Sequence, residues 1–290
     1  MNIGQQFTTF LTNIQLTANQ IQDAKTKYDG VCEKLHNNYY STTYNGSTKL
    51  LAGSYGKNTA IAPPTDIDVI FVLPYSEFKR YDSRSGNGQS HLLQDIKNIL
   101  LKKYSNTNMR ADGQVVMVNF VSYYVEVVPS FLLNGSYYIP DTNNGGRWKL
   151  TDPKSEMENI QISNKRTEGN TIRLIKMIKA WKFNCSVEIK SLVIELTVVD
   201  FLNLYQYYDK GSTYYDWMVR DYFKYLLSKV SNSSYIPGTY ESIAYGNSWE
   251  PKAKSALSSA ENACNLESEN LPYTATAEWK KLFGIRFPSP

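Results

Sequence analysis

Apolar and aromatic residues recur every seven positions through the first part of the chain: Phe7, Ile14, Ile21, Tyr28 and Leu35, with Phe10, Ala24 and Val31 between them. That spacing holds one face of a helix apolar. It predicts a single long helix from residue 4 to about 38, with Gly30 its only internal glycine. A helix lying along the body of the protein is the expectation, and a coiled-coil dimer the alternative. The period then shortens. Residues 49–52 form a short apolar approach to Gly53, and residues 69–73 (VIFVL) read as a buried strand. After the polar loop YDSRSGNGQS, residues 91–104 read as an amphipathic helix carrying Leu92, Leu93, Ile96, Ile99 and Leu100. Residues 114–121 and 123–128 are strand candidates rich in Val and Tyr, the second ended by Pro129. The segment IPDTNNGGRW is turn chemistry. From about residue 168 the spacing is helical: GNTIRLIKMIKAWK, KSLVIELTVVDFLNLY, DWMVRDYFKYLLSKV and EPKAKSALSSAENACNLE. An α+β front half is therefore expected before a mostly helical back half, without repeats or low-complexity tracts.

Composition narrows the picture modestly. The 290 residues can bury a sizeable core, and 42% hydrophobic with 20% charged residues is globular composition. A net charge of +4 fits anionic small molecules or nucleic acid without requiring either. Cys32, Cys185 and Cys264 are odd in number and far apart, with no disulfide or zinc spacing, so a reducing cytoplasm is expected. His36 and His91 are too few for a multi-histidine metal site. The first residues lack the pattern of a signal peptide, and no apolar run approaches a bilayer span. The 23 tyrosines read mainly as half-buried packing residues, with a few available to stack on nucleobases.

The improbable feature is GSYGKNTAIAPPTDIDVIFVLP, residues 53–74. Side chains alternate along a strand, so Asp66 and Asp68 share a face. Two carboxylates on one face repel unless something positive lies between them, and Mg2+, which prefers hard oxygen ligands and shares them with phosphates, is the natural partner. A third acid, Glu126, sits inside an apolar strand, where it needs a partner. Alone, Asp66 reads as a turn residue and Asp68 and Glu126 as solvent-facing. The pair Gly53-Ser54 changes that balance: glycine permits a tight turn, and Ser54 with neighbouring amides can hold a phosphate. Together they describe metal-dependent phosphoryl transfer. A Walker loop is excluded, because Leu51 and Asn58 stand where it needs Gly and Ser or Thr.

Gly53-Ser54, eleven residues, Asp66-Ile67-Asp68, then an acid-bearing strand resembles the polymerase-β-type nucleotidyltransferase superfamily. More narrowly the chain resembles the cGAS/DncV-like nucleotidyltransferases (CD-NTases), relatives of the oligoadenylate synthetases. YYVEVVPSF is similar to the family's third-acid strand, IRLIKMIKAWK and KSLVIELTVVDFL to its paired helices, and WKKLFGIRFP to a common terminus. The resemblance covers nearly the whole chain. It implies a mixed sheet flanked by helices, a long N-terminal spine helix and a helical second lobe, with residues 1–165 as spine plus catalytic core and 166–290 as the C-terminal lobe. By the same resemblance Asp66 and Asp68 bind two Mg2+ ions, with Mn2+ able to substitute. Glu126 binds the metal nearer the acceptor and helps deprotonate or orient its hydroxyl. Gly53, Ser54, Lys179 and Ser191 hold the donor triphosphate. The third acid is often Asp in this family, so Glu126 is a departure that moves the carboxylate by about one bond length. The helix itself does not choose between Lys176 and Lys179, which share a face.

The resemblance further implies a cytoplasmic enzyme that joins nucleoside triphosphates into a cyclic di- or trinucleotide. That product would activate a separate effector protein in bacterial antiphage (CBASS) signalling. A monomer without membrane contact is expected; nucleic-acid binding, the bases used, the linkage and the need for an activator stay open. One alternative keeps the site but makes linear oligonucleotides or modifies RNA or protein. The other is a non-catalytic nucleotide sensor, against which the three acids argue, since a binder has little reason to concentrate like charge.

Overall fold

The expected N-terminal helix divides in two. The computed structural model describes residues 1–290 and has α1 over Ile3–Asn13 and the long helix α2 over Ala18–Tyr39. Thr17 stops the continuation: its hydroxyl accepts from the Gln20 amide, and the Gln20 side chain accepts from the Thr17 amide. This capping box starts α2 afresh. Packing agrees with the break. Phe7, Phe10, Leu11 and Ile14 enter one hydrophobic core, whereas Ala24, Tyr28, Val31, Cys32 and Leu35 enter another. Ile21, which completes the seven-residue stripe, is 52% exposed.

Two compact units follow from these cores. One comprises Met1–Gln15, Thr59–Ala62 and Glu158–Pro290; the other comprises Leu16–Asn58 and Pro63–Met157. Contacts therefore do not divide the chain by one cut between 165 and 166. α1 groups with the C-terminal helices because its aromatic face packs on Trp279, Phe283 and Phe287.

The unit of residues 16–58 and 63–157 is α+β. In chain order it contains α2, β1 (Lys49–Leu51), α3 (Gly53–Gly56), β2 (Asp66–Val72), α4 (Tyr75–Asp82) and α5 (Gly88–Leu101). It continues with β3 (Asn108–Asp112), β4 (Val115–Asn119), β5 (Tyr124–Leu133), β6 (Ser136–Asp141) and β7 (Arg147–Thr151). The sheet is mixed, in the order β1-β2-β5-β4-β3, with β6 and β7 continuing from the far half of β5. Only β2 and β5 are parallel among its pairs. Pro129 does not end β5 as expected. β4 pairs with β5 only to Val127 and β6 only from Phe131, so Pro129 lies where β5 changes partners and its missing N–H breaks no ladder on that side.

The other unit is mostly helical. α6 (Pro153–Arg166) leads into it, followed by α7 (Asn170–Asn184), α8 (Ser191–Leu204) and α9 (Tyr215–Leu227). A small hairpin of β8 (Ser233–Tyr235) and β9 (Ser242–Ala244), which the sequence pattern does not predict, precedes α10 (Glu250–Ser268) and α11 (Pro272–Phe283). No helix is long and apolar enough to cross a membrane.

Candidate active site

The three acids occupy one face of the sheet. β2 alternates half-buried Asp66 and Asp68 with Ile67 and Val69, both fully buried. β5 does the same with Glu126 between Val125 and Val127, again fully buried. Register links the two strands: Asp66 stands opposite Tyr124, and Asp68 opposite Glu126. Adjacent strands lie about 4.8 Å apart, and paired residues point the same way. Asp66, Asp68 and Glu126 therefore project together from the face opposite the core. Burial, and then the charge of Asp66, push the Glu126 carboxyl above its ordinary range. The Asp66 carboxylate accepts a hydrogen bond from the hydroxyl of Thr65.

Gly53 is tied to the same acids. Its φ is +52°, and a Cβ there would stand 1.7 Å from Oδ2 of Asp68. Glycine is favoured there by the backbone angle, and any side chain would displace the Asp68 carboxylate. The amide of Ala52 donates to the Asp68 carbonyl at 2.9 Å, which fixes the entry to α3 against β2. Ser54 follows within α3. Gly56 is needed for packing: a Cβ would approach the Leu51 carbonyl oxygen to 2.4 Å. Lys57, readable from sequence as surface or as a phosphate contact, is buried and pairs with Glu156 at 2.7 Å.

Lys179 and Ser191 belong to the helical unit. Lys179 is 7% exposed; its ammonium donates to Glu195 at 2.6 Å and to the Thr59 hydroxyl at 2.7 Å. Thr59 in turn donates to Glu195 at 2.9 Å. Nothing in the sequence pattern pointed to Thr59 or Glu195, because an acid within the apolar run of α8 carries no sign of its partner. Lys176, half-buried one turn earlier, has its pKa lowered by burial and by the charge of Lys179. Ser191 opens α8, and its hydroxyl accepts from Lys182 at 3.3 Å.

No group of three His, Cys, Asp or Glu side chains is drawn tightly enough to ligate one ion. The donor set nonetheless fits a hard divalent cation. The three acids offer carboxylate oxygens on one face of the sheet, the hard donors such an ion prefers. Cys32, Cys185 and Cys264 are free thiols.

Comparison with known proteins is consistent across sequence and fold. The family model described as Second Messenger Oligonucleotide or Dinucleotide Synthetase domain (SMODS) matches residues 1–164. A Bacillus cereus protein named "Probable cyclic nucleotide synthase" is 27% identical over 286 residues, covering 85% of this chain and 84% of its own length. A cyclic AMP-AMP-AMP synthase of an Acinetobacter species is 24% identical, over 99% of this chain and 86% of its own. Among solved structures, the Vibrio cholerae DncV cyclic AMP-GMP synthase in complex with a linear intermediate superposes with a TM-score of 0.74 at 14% identity. That match covers 99% of this chain and 97% of DncV.

Proposed function

The chain belongs to the SMODS family of CD-NTases and is a nucleotidyltransferase; from that premise we propose that it joins nucleoside triphosphates into a cyclic di- or trinucleotide. The observation that carries the reading is the register of β2 against β5, which puts Glu126 beside Asp68 and on the face of Asp66. Those three carboxylates would hold divalent cations, Mg2+ by their chemistry, which supply charge neutralisation and activation of a ribose hydroxyl when bound. The chain's own residues do the rest. Gly53 lets the turn approach Asp68 closely, and with Ser54 it holds the donor triphosphate. Glu126 orients the attacking hydroxyl and helps to take its proton. The ribose oxygen forms its bond to the α-phosphorus, the bond from that phosphorus to the α,β-bridging oxygen breaks, and pyrophosphate leaves. A second transfer within the linear product closes the ring.

The product would serve as a second messenger for a separate effector protein in antiphage signalling. The test is incubation of purified protein with ATP, GTP, CTP and UTP and Mg2+ or Mn2+, then phosphatase treatment and mass spectrometry. A phosphatase-resistant oligonucleotide absent from Asp66→Ala/Asp68→Ala is expected. Identical profiles for wild type and the double variant rule the reading out. Label transferred to RNA or protein would redirect it to another acceptor.

A further inference from the structure

The sheet face that carries the acids continues sideways, and its next residues are not acids. The row through Asp66 runs Asp66 on β2, Tyr124 on β5, Asn119 on β4 and Asn108 on β3. The row through Asp68 runs Asp68, Glu126, Met117 and Arg110. Two features stand out in the first row. Tyr124 leaves 46% of its surface exposed although its neighbours Tyr123 and Val125 are buried. Asn119 has its side-chain oxygen buried without a hydrogen-bond partner. A buried amide oxygen without a partner is costly, and one next to an exposed aromatic ring beside carboxylates marks a place suited to a polar, flat ligand with a hydrogen-bond donor.

Direction across the sheet says which ligand. α3, with Gly53, follows β1, which pairs only with β2 and forms the sheet edge on that side. The acids come next, then β5 and β4. In-line displacement requires the entering oxygen to lie opposite the leaving pyrophosphate. A donor triphosphate held at Gly53 therefore brings the entering hydroxyl from the side of β5 and β4. Tyr124 lies two residues, or about 7 Å, from Glu126 along β5. That is the reach between a ribose hydroxyl and its own base.

We infer that Tyr124 and Asn119 form the acceptor-nucleoside subsite, the tyrosine ring stacking on the acceptor base and the Asn119 amide hydrogen-bonding its edge. The assignment rests on the nucleotidyltransferase reading above and adds to it which side chains select the acceptor. Stacking tolerates every base, so Tyr124 sets affinity; the Asn119 amide, with both a donor and an acceptor, sets preference.

The test uses the full chain with Mg2+ and all four nucleoside triphosphates, quenched early. In the linear intermediate, the nucleotide that keeps its 5′-triphosphate is the acceptor, so mass spectrometry reads acceptor choice directly. Tyr124→Ala is expected to raise the triphosphate concentration giving half-maximal rate by about tenfold, and Tyr124→Phe to leave it within twofold of wild type. Asn119→Ala is expected to change which base keeps the 5′-triphosphate while the donor base stays as in wild type. Melting temperatures accompany each variant, since a purely structural role would lower rate and stability together without altering base choice. Active variants with wild-type acceptor choice and half-saturation overturn the subsite alone. A wild-type protein that makes no product overturns the proposed function, and the subsite with it.

Discussion

Glu126 is where charge, burial and chemistry meet on one side chain. Its folded-state pKa lies above the ordinary glutamate range, through burial first and the Asp66 charge second. The folded protein without divalent cation therefore binds the Glu126 proton more tightly than the unfolded chain does. The resulting stability is fully present below the unfolded pKa and is lost as pH rises through the folded one. At neutral pH the ionised carboxylate is a net cost. Glu126→Gln should thus stabilise the metal-free protein at pH 7 by about 1 kcal/mol or less after solvent screening. It should also flatten the fall of stability with pH, as measured by urea unfolding from pH 4 to 8. Under the proposed mechanism the same change should abolish synthesis and leave a smaller gain in melting temperature on adding Mg2+ than wild type shows. Much at this scale was legible: Asp66, Asp68 and Gly53 stood out by spacing alone. Glu126 was nameable as an acid needing a partner, but its face relative to Asp66 depends on strand pairing. Tyr124 and Asn119 were not singled out, because only the register of β5 with β2 and β4 brings them beside Asp66.

At the scale of elements, short-range chemistry overrode periodicity in one place and tertiary partners in another. The stripe from Phe7 to Leu35 suggested one helix, yet the Thr17–Gln20 capping box cuts it, a signal present in the sequence but outweighed there by the seven-residue repeat. Pro129 suggested a strand end, yet β5 runs through it because pairing partners change at that residue. On α7 and α8 the decisive feature is the buried pair of Lys179 and Glu195, whose side chains are 8% and 3% exposed. Removing one partner strands a charge in a low-dielectric site. Glu195→Ala should cost about 3–5 kcal/mol, whereas Lys179→Met with Glu195→Leu should recover most of that loss. Urea denaturation of the three proteins checks both statements. A loss near zero for Glu195→Ala would mean that the ammonium finds water instead.

For the whole molecule, two hydrophobic cores share one chain that passes between them at residues 15/16, 58/59, 62/63 and 157/158. α1 and the C-terminal helices are far apart in sequence and inseparable in packing: Phe7 contacts the rings of Trp279, Phe283 and Phe287. A fragment of residues 1–165 should accordingly bind the dye ANS and aggregate, because Phe7, Phe10, Leu11 and Ile14 lose their core. A fragment of residues 16–157, which retains the complete second core, should show cooperative unfolding with much less dye binding. Equal behaviour of the two fragments would contradict the division.

The amino-acid sequence alone determined the order of an α+β part before a mostly helical one, the identities of the acids and the glycine beside them, because those follow from local periodicity and from what each side chain can do within a few residues. Tertiary structure alone decided which strands are neighbours and in what register, which helix each core claims and which buried charges find each other. These are contacts between segments tens to hundreds of residues apart, and their energies come from surfaces that only meet after folding. No local pattern could rank Tyr124 beside Asp66, or Thr59 beside Glu195, over the alternatives.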